Sequence, residues 1–158
     1  MKRYFVIALL AVAGLVGHPS VARADITFFV GLSPRPEVRP IRGVAAGISM
    51  LIVGFEFDYA ESGEDVVKGL PGMKTGMFNI LVQTPTNTSI YVTAGGGLYW
   101  ETFNGARKIN AGTNVGGGIK IALFGPIHVR VDYRIFTLRG SPRVANPQRL
   151  YVGINWPF

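Results

Sequence analysis

Cysteine is absent from the chain, which excludes a disulfide framework, a thiolate metal site, a Cys nucleophile and CxxC redox chemistry together. Charge is scarce as well. Only 16% of the 158 residues are Asp, Glu, Lys or Arg, against 48% hydrophobic, and the mean hydropathy is +0.30. That balance argues against disorder and against an ordinary soluble domain. Yet beyond residue 24 no apolar run is long enough to cross a bilayer as a helix. Histidine is limited to His18 and His128, so a His-rich metal site has no donors, and neither a metal nor a cofactor is expected.

Residues 1–24 have the build of a secretory signal peptide. Lys2 and Arg3 give a positive start, Tyr4 to Val16 is apolar, and Ala22-Arg23-Ala24 has the small-x-small form that precedes a cleavage site. Removing these 24 residues leaves 134, from Asp25 to Phe158. Lys2, Arg3 and Arg23 leave with the segment, so the charge falls from +7 to +4. Two regions follow: 1–24, a cleaved signal peptide, and 25–158, one folded domain.

In that domain apolar residues alternate with polar or small ones. Ile26, Phe28, Val30 and Leu32 begin the pattern, and it returns in Val44–Met50, Val53–Tyr59, Phe78–Val82, Ile90–Trp100, Val115–Leu123, Ile127–Ile135 and Leu150–Phe158. A period of two is that of a strand with one apolar face. Eight strands of this kind predict an all-β fold, a closed antiparallel barrel that crosses a membrane, because eight is the smallest number usual for such a ring. The connections are expected to alternate. Long outer ones fall at Pro34–Arg42, Glu61–Pro71, Thr102–Lys108 and Arg139–Gln148, and short inner ones at Met50/Leu51, Pro85–Ser89 and Gly125-Pro126. No Gly, Pro, Asn or Asp marks the reversal at Met50/Leu51, so six strands with one long hairpin segment remain an alternative.

The opposite face of the strands carries Glu56, Asp58, Tyr91, Tyr99, Glu101, Lys120, His128, Arg130, Asp132, Arg134, Tyr151 and Asn155. In an eight-strand ring the third and seventh strands stand opposite each other. Glu56 and Asp58 are therefore expected to meet Arg130 and Arg134 across the axis, with Asp132 in the same network. Buried charges persist only when paired and hydrogen-bonded, and so narrow a lumen is filled by side chains, so a closed interior is predicted. Glu101 and Lys120 have the alternative of sitting solvated at strand ends.

The last strand, Arg149-Leu150-Tyr151-Val152-Gly153-Ile154-Asn155-Trp156-Pro157-Phe158, ends in an aromatic residue after alternating apolar positions. Together with Gly116–Ile121 and His128–Arg134, which are similar to a penultimate barrel hairpin, it resembles the small eight-stranded outer-membrane barrels of Gram-negative bacteria, such as the OmpA transmembrane domain, OmpX and the opacity-type proteins. The resemblance implies a location in the outer membrane, an assembly signal at Trp156 and Phe158 read by the barrel assembly machinery, and a monomer. It implies little about activity. Pro157 departs from the pattern, since it has no ladder donor, but a chain end tolerates that best.

Other motifs are weak. Gly95-Gly96-Gly97 and Gly116-Gly117-Gly118 lack the Lys-Ser/Thr ending and the helix of a phosphate loop, and glycines in a narrow barrel relieve crowding from large interior side chains. Asn87-Thr88-Ser89 reads as a turn. A Ser/His hydrolase similar to the lipid A deacylase barrel needs a serine beside the histidine, both facing lipid. His128 has interior parity and its nearest downstream serine is Ser141, so no catalytic residue is assigned.

The outer connections carry Arg35, Arg39, Arg42, Lys68, Lys74, Arg107, Lys108, Arg139, Arg143 and Arg149 against Glu37, Glu61, Glu64 and Asp65. Such an excess is expected to draw the phosphates of lipopolysaccharide, with Arg35, Arg39, Arg42, Arg107, Lys108, Arg139 and Arg143 as contact candidates. Nucleic acid is a poor partner for an exported chain whose basic residues lack interleaved aromatics. The expected role is thus a non-catalytic barrel of structural or interaction function, with its external partner unassigned. A narrow solute channel or small porin is the alternative. A soluble lipocalin-like barrel would put polar residues where Phe55, Phe57, Trp100 and Trp156 stand.

Overall fold

The computed structural model describes residues 22–144 and 146–158. Residues 1–21 of the predicted signal segment lie outside the described residues, while its last two positions, Arg23 and Ala24, open the first strand opposite Ser49 and Ile48. Eight strands follow in order: β1 Arg23–Ser33, β2 Arg39–Met50, β3 Val53–Ser62, β4 Gly72–Gln83, β5 Ser89–Phe103, β6 Ala106–Phe124, β7 Ile127–Leu138 and β8 Gln148–Pro157. Each pairs antiparallel with its neighbours, and β1 pairs with β8, so the sheet closes into a barrel without edges.

The six-strand alternative is excluded, because β2 and β3 pair along their length around a Leu51-Ile52 turn. Leu51 turns the chain at φ +49°, the left-handed region where a residue with a Cβ is disfavoured by roughly 1–2 kcal/mol. The turn is imposed by the pairing of the flanking strands, which is why no turn residue announces it. The third outer connection is a second correction. Instead of a loop over Thr102–Lys108, β5 runs to Phe103 and β6 starts at Ala106, joined by Asn104 and Gly105 with φ of +49° and +78°. Asn-Gly with both φ positive is a type I′ hairpin turn, whose twist matches that of the strands. The first outer connection likewise shrinks to residues 34–38 and the second to 63–71. Pro40 fits in β2 because β3 ends opposite Ile41 and leaves that side unpaired.

Alternation sorts the side chains. Outward positions are apolar: Phe28, Val30, Ile90 and Val92 are each more than 60% exposed, and Val152, Ile154 and Trp156 continue the belt. An apolar surface encircling the molecule finds no partner in water and fits a lipid phase, where a closed barrel satisfies every backbone group internally. Inward positions are polar or charged, with two apolar clusters, Phe29, Ile41, Ala45, Ala60 and Tyr151 on one side and Met73, Met77, Tyr99, Phe136 and Leu138 on the other. Glycine makes room among them. A Cβ at Gly118 would lie 2.2 Å from the Val131 carbonyl oxygen and 2.5 Å from the Tyr91 hydroxyl, so only glycine fits beside that ring.

Candidate functional site

Period-two alternation aims Glu56 and Asp58 of β3, Arg130, Asp132 and Arg134 of β7 and Arg149 of β8 into the lumen, and the closed strand order sets β3 across from β7. Arg134 lies at the centre. Its Nε donates to Asp132 Oδ1 at 2.9 Å, Nη1 to Asp58 Oδ2 at 2.5 Å, and Nη2 to Glu56 Oε1 at 2.7 Å and Asp132 Oδ2 at 3.1 Å. Arg130 donates from Nη1 to Glu56 Oε2, from Nη2 to Asp132 Oδ2 at 3.1 Å, and from Nε to the Tyr91 hydroxyl at 2.7 Å, while that hydroxyl donates to Asp132. Three guanidinium groups thus face three carboxylates, none more than 4% exposed. The charges cancel, and every carboxylate oxygen accepts at least one bond, which is what makes such a group tolerable inside a barrel.

Five residues of this network, Glu56, Asp58, Arg130, Asp132 and Arg134, are those singled out by inward parity. Arg149 was counted with the loop cations, but it is a buried member: Nη2 donates to Asp58 Oδ1 at 3.0 Å, and the guanidinium lies 5.3, 5.0 and 5.6 Å from the ring centroids of Phe29, Phe136 and Tyr151. Its parity with Tyr151 was the available signal. Neutral amides extend the network, Asn79 donating to Asp58 at 2.7 Å and Asn114 to Asn79 at 2.8 Å. Lys120 is no solvated strand end: its Nζ bonds Asp25 Oδ2 at 2.8 Å, and both are buried. Buried Glu101 accepts from the Arg143 backbone N–H at 3.0 Å.

The basic candidates divide. Arg35, Arg139 and Arg143 are exposed in outer loops, and Arg107 and Lys108 are exposed on β6 rather than in a loop. Arg42 projects outward from β2 and pairs with Glu61, which Lys74 of β4 also approaches. Arg39 requires correction. It opens β2 with inward parity, is 6% exposed, and its Nη1 donates to the Pro71 carbonyl at 2.5 Å, so it faces the lumen mouth and not a surrounding lipid headgroup. Its connection was read as too long by four residues, which hid the parity. Among loop groups, Glu37 beside Lys68 at 3.1 Å raises the ammonium pKa above its ordinary value. Trp156 and Phe158 lie exposed at the end holding both termini.

No protein-family model matches the chain, and no curated protein matches it in sequence. Solved structures do match in shape. The N-terminal β-barrel domain of Pseudomonas aeruginosa OprF is 14% identical over 86% of this chain and 97% of that one, with a TM-score of 0.69. The fold is that of the small outer-membrane barrels. Neisserial surface protein A shares it at 15% identity, over 87% of this chain and 96% of that one, with a TM-score of 0.63. The outer-membrane enzyme PagL matches at 11% identity over 85% and 99%, with a TM-score of 0.50. An outer-membrane barrel can therefore be an enzyme, and the shared fold assigns no activity. In this barrel His128 is half-buried, with Nδ1 2.9 Å from the Pro126 carbonyl.

Proposed function

We propose that the protein resides in the bacterial outer membrane as a non-catalytic, non-conducting barrel whose basic rim contacts lipopolysaccharide. One observation carries the closed interior: the network of Glu56, Asp58, Asp132, Arg130, Arg134 and Arg149 joins opposite walls of the ring, and none of its members is more than 4% exposed. An ion crossing the lumen has to break several charge-assisted bonds at one level, and an eight-strand ring has no width to route around them. The apolar belt and the shared fold support the location. For lipopolysaccharide the support is the exposed Arg35, Arg42, Arg107, Lys108, Arg139 and Arg143, all toward the end away from the termini, since guanidinium groups match phosphate oxygens in geometry as well as charge.

Planar-bilayer recording with purified protein tests the interior. Silence is the expected result, and steady single-channel steps overturn it in favour of the narrow channel. Lipopolysaccharide affinity tests the rim: Arg107→Gln with Lys108→Gln is expected to weaken binding several-fold with unchanged folding, and unchanged binding removes the assignment.

A further inference from the structure

At the loop end of the lumen, above the charge network, Arg39, Arg149, Thr75 and Glu61 line a small cavity together with the apolar Met73 and Phe136. Its cations are unlike those below it. Arg39 is nine-tenths buried, yet among the described residues no carboxylate lies within 4.0 Å of it, its only bond goes to the neutral Pro71 carbonyl, and its Nε has no partner. Arg149, also buried, spends Nη2 on Asp58 and leaves Nε and Nη1 without partners. Thr75 adds a buried hydroxyl without a partner. Three guanidinium donors and a hydroxyl without partners, contributed by residues that line one space, with one of the cations paired to no carboxylate within 4.0 Å, form an arrangement that costs stability unless an acceptor enters.

We propose that this cavity is a binding site for a small oxyanion of phosphate type, held by Arg39 and Arg149 with Thr75 as a further donor. Oxygen acceptors carrying negative charge satisfy the orphaned donors and neutralise Arg39 at once, whereas water supplies only the acceptors. Nearby carboxylates are already engaged: Glu61, which also lines the cavity, by Arg42 and Lys74, Asp65 by the Lys68 backbone N–H, Glu37 by the Lys68 ammonium, and Glu101 by the Arg143 backbone. Size selects the ligand. The space of about 40 Å³ is room for about three waters at the ~10–15 Å³ that each requires, which suits one tetrahedral anion and no sugar. Both arginines point inward from the wall, so the source is a soluble anion entering at the mouth, not the headgroup of a lipid outside. This site is separate from the rim, and neither reading depends on the other.

The experiment is a titration of inorganic phosphate against the full folded chain in uncharged detergent, read by phosphorus NMR line broadening at constant ionic strength. Saturable broadening is expected in the parent, at least tenfold weaker in Arg39→Gln and unchanged in the lipid-facing Val131→Ala. Thr75→Val covers the chance that Arg39→Gln fails to fold: it is expected to weaken phosphate binding while raising the urea midpoint of the phosphate-free protein, since it removes an orphaned hydroxyl. Equal binding by Arg39→Gln and the parent, or no saturable broadening in the parent, overturns the site. Lipid A added to the micelles should leave the broadening unchanged, and its displacement of phosphate overturns the soluble source.

Discussion

Arg134→Ala is the perturbation that bears most directly on the interior. Its guanidinium makes four hydrogen bonds to Glu56, Asp58 and Asp132 and is fully buried, so removal leaves three carboxylates facing two cations. Each keeps some support: Glu56 and Asp132 retain Arg130, and Asp58 retains Arg149 and Asn79. The result is one uncompensated negative charge shared by the cluster. Removing one partner from a buried ionic group costs about 3–5 kcal/mol, and the shared support puts this case near the lower value. With a urea slope of ~1–3 kcal/mol per molar for a small protein, the midpoint should fall by about 1–3 M. Urea unfolding in lipid vesicles, followed by Trp100 and Trp156 fluorescence, reads this directly. Arg134→Met, which loses the charge but keeps most of the volume, should fall nearly as far, and lipid-facing Val131→Ala by less than about 1 kcal/mol because lipid takes the place of the lost methyls. A parent-like midpoint for Arg134→Ala would falsify the reasoning, since it means the charges are already solvated and the lumen is wet.

Arg149→Met should cost less than Arg134→Ala, about 1.5–3 kcal/mol in the same assay, because it breaks one charged hydrogen bond and Asp58 keeps Arg134; an equal or larger loss would mean that the network is not centred on Arg134. Gly118→Ala should destabilise by about 1–3 kcal/mol by driving a methyl against the Val131 carbonyl and the Tyr91 ring, whereas Gly96→Ala, whose methyl would lie 3.4 Å from the Gly112 carbonyl oxygen, should be near neutral; similar urea midpoints for the two would show that strand and ring can move aside. Deleting Phe158 should sharply reduce the folded fraction in the outer membrane, seen as loss of the heat-modifiable band on SDS gels, because it removes the terminal aromatic of the segment that closes the ring against β1, where Trp156 stands opposite Ile26 and Pro157 opposite Asp25. Wild-type levels of that band would remove Trp156 and Phe158 as an assembly signal.

Alternation alone made the wall of this protein legible. Successive side chains of a strand point to opposite faces, so the sequence determined an all-β wall with an apolar exterior and the inward parity of Glu56, Asp58, Arg130, Asp132 and Arg134 without any knowledge of contacts, and left only the choice between eight strands and six to the structure. Where a local signal was present but outweighed, as with Asn104-Gly105 inside an assumed loop, the hairpin was missed although its chemistry stood in the residues. Where there was none, as at Leu51, only pairing of the flanking strands decided the turn. Closure of the ring decided the rest. Lys120 meets Asp25 from strands far apart in the sequence, and Arg39 and Arg149 share a cavity only because β2 and β8 both flank β1. Parity tells which way a side chain points, but the partner it meets depends on ring size and on the stagger of neighbouring strands, and those are properties of the whole closed sheet.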